Sequence, residues 1–223
     1  MPRLTEIGKY FIIVYLLFLF GCRQPTNDFK IISTEKFKIS VPKTWNLIEE
    51  PREDSFVGFI EAPDLKFRFD FSENGYANHL LNSEQEYLKS GEWELGCIFC
   101  KPGVSYNHTP DLDSKIETHI PTTAQKNMYP KADYIADMTY DDSTAYVPIK
   151  IPAEIKAHSI EQKSEGAFII KTIWPKIPSK GTTGVYYQSK SSTLNFQLSA
   201  NNLSKQNQDL ALQAFKTIVI KTK

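Results

Sequence analysis

The chain is short of the features that most often announce a function. It has no basic excess: 26 Lys and Arg stand against 26 Asp and Glu. No Lys/Arg cluster is interleaved with aromatics, so the footprint of a phosphate-backbone reader is missing and a nucleic-acid partner is not expected. No apolar run is long enough for a membrane-spanning helix, which takes about 20 residues; Phe11–Phe20 holds ten. Three cysteines in 223 residues exclude a disulfide-built scaffold. Beyond Met1 the methionines are only Met128 and Met138, which leaves copper trafficking through a Met cluster without support. No G-x-S-x-G, H-E-x-x-H, P-loop or dinucleotide fingerprint occurs. A catalytic triad can still be assembled in space. A periplasmic hydrolase would need His119 or His158 beside an acid and a nucleophile in a pocket.

What is present begins with an export signal. Arg3 and Lys9 give residues 1–10 a positive character, and the ten-residue apolar run that follows has the length of a signal-peptide h-region. Leu19-Phe20-Gly21-Cys22 closes it. This looks like a lipobox, with Leu at −3, a small residue at −1 and Cys as the new terminus. The small residue fits a narrow peptidase pocket, and the Cys thiol takes the diacylglycerol. By that resemblance residues 1–21 are removed and Cys22 carries the lipid that holds the rest at a membrane. Stable anchoring takes two or more acyl chains. Arg23 at +2, where inner-membrane retention wants Asp, points to the outer membrane and its periplasmic face.

Cleavage leaves about 200 residues, the size of one domain. Residues 22–34 are expected to form a tether, broken by Pro25 and Asn27-Asp28. Residues 35–223 then form a single domain, with an insertion around 91–131 where the patterning is weak. Strands are predicted at Phe37–Val41, Trp45–Ile48, Phe56–Ile60 and Leu65–Phe71. Further strands fall at Tyr134–Tyr140, Tyr146–Ile151, Ala167–Trp174, Gly184–Gln188 and Thr193–Ala200, with a short one at Ile218–Ile220. In Leu65–Phe71 the Leu and three Phe share one face, and Lys66, Arg68 and Asp70 take the other, as in a sheet packed on one side and wet on the other. Ser83 and Glu86 form a capping box before a short helix ending near Ser90. The best helix starts after Ser204, with Asn207, Leu210, Ala211, Ala214, Phe215 and Ile218 on one stripe. The fold class is α/β (α+β): a mostly antiparallel central sheet flanked by a few helices.

Two segments add a family resemblance. Phe37-Lys-Ile-Ser-Val-Pro-Lys-Thr-Trp45 has the form f-x-i-x-v-P-x-x-W, and the chain ends with strand, helix and Phe215-Lys-Thr-Ile218. Together they resemble the PsbP-like family of α/β/α sandwich proteins. The resemblance covers two stretches of apolar pattern and implies a fold. It also implies an accessory or assembly factor rather than an enzyme, and it transfers no catalytic residues.

Three constellations are candidate sites. Cys97-Ile-Phe-Cys100 fits a local disulfide, normal in an oxidising compartment, or a redox pair, or two thiolate ligands of a metal. His108 and His119 would complete the metal site at a C-x2-C-x7-H-x10-H spacing. Asp70-Phe-Ser72-Glu-Asn74-Gly75 has the first half of a calcium loop, but Leu81 stands where a bidentate Glu belongs, so a strand ending in an Asn-Gly turn competes with it. No cofactor is expected. The overall expectation is a lipid-anchored, non-catalytic binding or assembly module of the envelope. Its partners are the membrane, through the N-terminal lipid, and an envelope protein, met through exposed side chains such as Tyr186 or Tyr187. A thiol-redox or metal-handling protein and a periplasmic hydrolase are the alternatives.

Overall fold

A computed structural model describes residues 28–51, 54–93, 115–140 and 143–221. Among them are thirteen strands, all paired antiparallel, and four short helices. The expected α+β class with a mostly antiparallel sheet is what the chain forms.

The strands are β1 Phe29–Ser33, β2 Phe37–Pro42, β3 Asn46–Glu49, β4 Phe56–Ala62, β5 Leu65–Ser72, β6 Lys115–His119, β7 Tyr134–Tyr140 and β8 Ser143–Ile149. The remainder are β9 His158–Glu165, β10 Phe168–Pro175, β11 Thr182–Ser189, β12 Asn195–Asn201 and β13 Val219–Ile220. The helices are α1 Glu84–Ser90, α2 Thr123–Met128, α3 Ala153–Ala157 and α4 Lys205–Phe215.

Seven strands make the main sheet in the order β3-β4-β5-β12-β11-β10-β9. It is two meanders joined where β5 pairs with β12, Phe71 opposite Phe196 and Phe69 opposite Leu198. One face carries the main core. The five-residue alternation around Phe37 works as expected, because Phe37, Ile39 and Val41 of β2 all turn inward and are essentially without exposure. Phe37 packs on Phe69 at 5.3 Å and on Phe196 at 4.9 Å between ring centroids. Each such ring taken from water contributes about 1.5–3 kcal/mol. A three-stranded sheet, β1-β2-β13, lies over this face together with α4.

The helix α4 forms where the stripe predicts. Ser204 caps it by accepting the Asn207 N–H, and Leu210, Ala211, Ala214 and Phe215 are buried. Its small residues let it lie close on the sheet. The two segments that carry the PsbP-like pattern meet here: β13 pairs with β2, Trp45 packs on Phe67, and Phe67 meets Phe215 edge-on.

The other face is less wet than the alternation in β5 predicts. Lys66 and Arg68 are exposed, but Asp70 and Ser72 are buried. Residues 76–93, including α1, cross this end of the sheet. Leu80 sits with Ile173 and Tyr186, and Lys171 is paired with Glu86 of α1. A second three-stranded sheet, β6-β7-β8, has its own core, in which Trp93, Met138, Ile149 and Ile155 bury against Tyr87 and Leu88 of α1.

Three boundaries differ from expectation. Phe29–Ser33, assigned to the tether, is strand β1, held by five registered pairs with β2. The 91–131 insertion contains β6 and α2, and β6 pairs with β7, so this excursion runs on through β8. Strand β9 and helix α3 lie where no element is predicted.

Candidate functional site

The sites singled out in the sequence divide by whether the structure reaches them. Cys22, Cys97, Cys100 and His108 lie outside the described residues. His119 lies in β6, with its Nε2 2.9 Å from Asp137 Oδ1 and its Nδ1 2.9 Å from the Ile120 carbonyl oxygen. Both ring nitrogens face acceptors, so the geometry favours the doubly protonated ring. The Ile120 carbonyl and then the Asp137 carboxylate raise its pKa above the usual histidine value. A general base needs a free lone pair on one nitrogen, and both nitrogens of this ring are engaged.

His158 is buried between backbone groups. Its Nδ1 lies 2.8 Å from the Glu154 carbonyl oxygen, and its Nε2 accepts the Thr182 N–H at 3.1 Å. That fixes one neutral tautomer and makes the ring a brace between α3 and β11. It borders a polar depression of about 680 Å³ that also contains Ser83 and Glu86. Ser, His and a carboxylate are thus brought together, but each is committed elsewhere. Ser83 Oγ accepts the Glu86 N–H, and Glu86 accepts from the Ser83 N–H and from Lys171 Nζ. His79 stacks on Tyr186 with ring centroids 4.9 Å apart.

Asp70, Ser72 and Asn74 are placed by the turn rather than spread around a point. Ser72 Oγ accepts the N–H groups of Asn74 and Tyr76, and Gly75 supplies the left-handed residue at φ +82°. The Asp70 carboxyl is pushed above the usual range by burial, against the opposing effects of Ser55 and Arg68, and no donor reaches its Oδ1. Among the described residues no group of three or more His, Cys, Asp or Glu side chains could hold a metal ion.

Tyr186 and Tyr187 point to opposite faces of β11, as alternation requires, yet neither is exposed. Tyr186 is covered by the crossing segment, and Asn195 Nδ2 of the adjacent β12 donates to its hydroxyl at 3.0 Å. Tyr187 lies in the main core, and burial, helped by Glu165, pushes its pKa up to about 12. The expectation that one of them presents a contact surface fails because Tyr186 lies under residues 76–93 and Tyr187 is packed against Phe168, Phe196 and the end of α4.

The feature with the shape of a ligand site was not singled out by any motif. On the core face, α4 and β13 cover β5, β12 and part of β11, but stop short of β10 and β9. The gap is a cleft of about 570 Å³, within the roughly 300–1,000 Å³ of ordinary small-molecule sites. Ile170, Val185 and Tyr187 form its floor, and Leu212, Phe215 and Ile218 its inner wall. Glu161, Lys163 and Glu165 of edge strand β9 rise along the outer side, and Lys216 stands at the end of α4. Lys163 is paired with Glu165. Along β10 from Phe168 to Trp174 the slot extends on the order of 20 Å at about 3.3 Å per residue. Its lining is mainly apolar, with Thr172 midway along β10 and the charged side chains supplied by β9 and by Lys216.

The signal that could have found this cleft is the run Phe168-Ile-Ile-Lys-Thr-Ile-Trp174, too apolar for a strand with one wet face. No protein-family model matches the chain, and no curated protein is significantly similar to it. The fold and cleft define a class, a β-rich α+β domain with an open apolar slot, and the functional reading rests on the residues themselves.

Proposed function

We propose that the chain is a lipid-anchored, non-catalytic binding module of the cell envelope, held by Cys22 at the periplasmic face of the outer membrane. In this reading the cleft between β10 and α4 takes an elongated amphiphile. The observation that carries it is the cleft. Its floor and inner wall are aliphatic and aromatic, its shape is long and open on one side, and its ionic groups come from exposed side chains of β9 and from Lys216. An apolar chain lying on Ile170 and Val185, with its polar end among Lys163, Glu161 and Lys216, matches that distribution. The lipobox-like Leu19–Cys22 supports the envelope location. The meeting of the two PsbP-like segments in one core supports an accessory-type fold of that family.

Thr172 stands in the middle of the slot, half-buried, and can be enlarged without entering the closed core. In the Cys22→Ser chain exported with residues 1–21 replaced by a cleavable signal, palmitate is expected to displace an anilinonaphthalene sulfonate dye from the protein. Thr172→Trp, which fills the slot with an indole, is expected to weaken dye binding at least tenfold while the melting temperature stays within about 3 °C. Undiminished dye binding by Thr172→Trp, or no displacement by palmitate, would remove the cleft from the account.

A further inference from the structure

We infer that the outer face of the β1-β2-β13 sheet rests on the surface of the lipid bilayer, and that this contact brings the mouth of the cleft to the membrane. The inference rests on the lipid anchor proposed above and goes beyond it by fixing which face of the domain meets the lipid.

Alternation in β1 turns Ile32 into the core and Phe29 and Ile31 outward. Ile31 is 71% exposed, which nothing in the fold of the chain requires. Across the sheet, Ile31 is registered opposite Ser40, and Val219, also exposed, is registered opposite Lys38. Three large apolar side chains therefore share one wet face with an exposed Lys38. The rim adds cations: Lys216 is exposed, and Lys221 reaches Ser33 Oγ at 3.1 Å. The nearby acids are matched, with Asp28 paired to Lys43 and Glu73 paired to Lys36, and Glu35 has its own interaction. Apolar side chains ringed by lysines are what an anionic bilayer surface takes up, the first entering the acyl boundary and the second meeting phosphate.

The connection to Cys22 decides between this patch and others. Six residues lie between Cys22 and Phe29, so the two stand at most about 25 Å apart when the link is fully extended. A folded body of this size has a radius of gyration of roughly 16 Å. The edge of β1 is thus held near the headgroups, and the opposite side of the domain cannot replace it there without turning the tether back along the body. Of the other exposed apolar side chains, Ile116, Ile120, Met128 and Tyr146 belong to β6, α2, β8 and their connection, in the second sheet region, while Ile48 lies in β3 and Tyr76 and Ile177 in the connections after β5 and β10. Val219 and Lys216 border both the outer face and the cleft, so a bilayer under this face places the slot where an acyl chain can enter it.

The test uses the full lipidated protein in vesicles of phosphatidylethanolamine and phosphatidylglycerol carrying a trace of diazirine-bearing phospholipid. After illumination, label is expected in peptides spanning 28–43 and 216–221 at no less than about fivefold the level elsewhere. Ile31→Asp/Val219→Asp is expected to bring that label to background while the protein stays on the vesicles. Both side chains are largely exposed, so an unchanged melting temperature verifies that the variant folds. Retention with label spread evenly, or gathered on Ile116, Ile120, Met128 and Tyr146, overturns the orientation and leaves the anchor standing. The second pattern would point to the other sheet. Release of the wild-type protein by an alkaline carbonate wash overturns the anchor, and the orientation falls with it.

Discussion

Gly58→Ala is expected to destabilise the fold by at least about 3 kcal/mol. Gly58 sits in β4 opposite Phe69 of β5. A Cβ built on it would lie 2.3 Å from the Ile48 carbonyl oxygen and 2.6 Å from Phe69 Cζ. The Phe69 ring fills the space a side chain would occupy, and it has nowhere to retreat. It is fully buried, with Phe37 at 5.3 Å and Phe56 at 5.1 Å. The backbone oxygen on the other side belongs to β3, the edge of the sheet. The methyl therefore forces either the ring out of the core or β3 off the sheet. Thermal unfolding should show a loss of about 6–12 °C. Gly91→Ala is the control. Its left-handed φ of +71° carries a strain of about 1 kcal/mol, but no atom lies within 4 Å of the added carbon. A Gly58→Ala midpoint no lower than that of Gly91→Ala would mean that β3, β4 and Phe69 are not packed as described.

The second large effect is expected from Glu86→Gln, at about 2–3 kcal/mol. Lys171 projects from the middle of β10 and its side chain is only 8% exposed; its Nζ meets Glu86 at 2.8 Å. Glutamine keeps the oxygen that accepts the Ser83 N–H, so the cap of α1 survives and the charge alone is lost. The cost is that of leaving an ammonium ion buried without its partner. It falls below the figure for a fully buried pair because Glu86 itself is about a third exposed. Lys171→Met in the Glu86→Gln background should restore most of the loss, since the uncompensated charge is gone. Acid should mimic the substitution. Burial alone would raise the Glu86 carboxyl, but the hydrogen bond and charge of Lys171 and the Ser83 contacts outweigh it and hold the pKa below the ordinary glutamate value. With the folded value lowered, the pair's contribution is complete above about pH 4.5 and is lost as pH falls through the folded value. Urea unfolding at pH 7 and pH 3 should show the gap between wild type and Glu86→Gln closing at the lower pH. A constant gap would contradict the ion pair.

Much of the fold was legible because local pattern and tertiary burial agree. Leu65–Phe71 alternates apolar and charged, and β5 is there; Ser83 and Glu86 read as a capping box, and both of its hydrogen bonds form; the α4 stripe names the residues that face the sheet. The failures have physical causes. His158–Glu165 reads as polar loop because it is an edge strand, paired only with β10, and charged side chains at an edge discourage further pairing. Asp70 reads as a wet-face residue, and Tyr186 or Tyr187 as an exposed one, because nothing local tells that residues 76–93 return to cover that face. The cleft is assembled from β9, β10, β11, α4 and β13, spread over 60 positions, and depends on where α4 ends rather than on any motif. The candidate sites with recognisable spacing, Cys97 and Cys100 with His108, lie outside the described residues, so their chemistry still rests on the sequence. His119 is within reach and shows a ring committed to Asp137 and Ile120.

The measurement that bears most directly on the whole account is the intact mass of the protein recovered from cell membranes. The account expects a chain beginning at Cys22, without residues 1–21, and heavier by a diacylglyceryl group with or without a further acyl chain. Cys22→Ser should leave the unprocessed mass. A wild-type chain that retains Met1, or one that begins at another residue and carries no lipid, would contradict the anchor on which the envelope location and the membrane-facing sheet both depend.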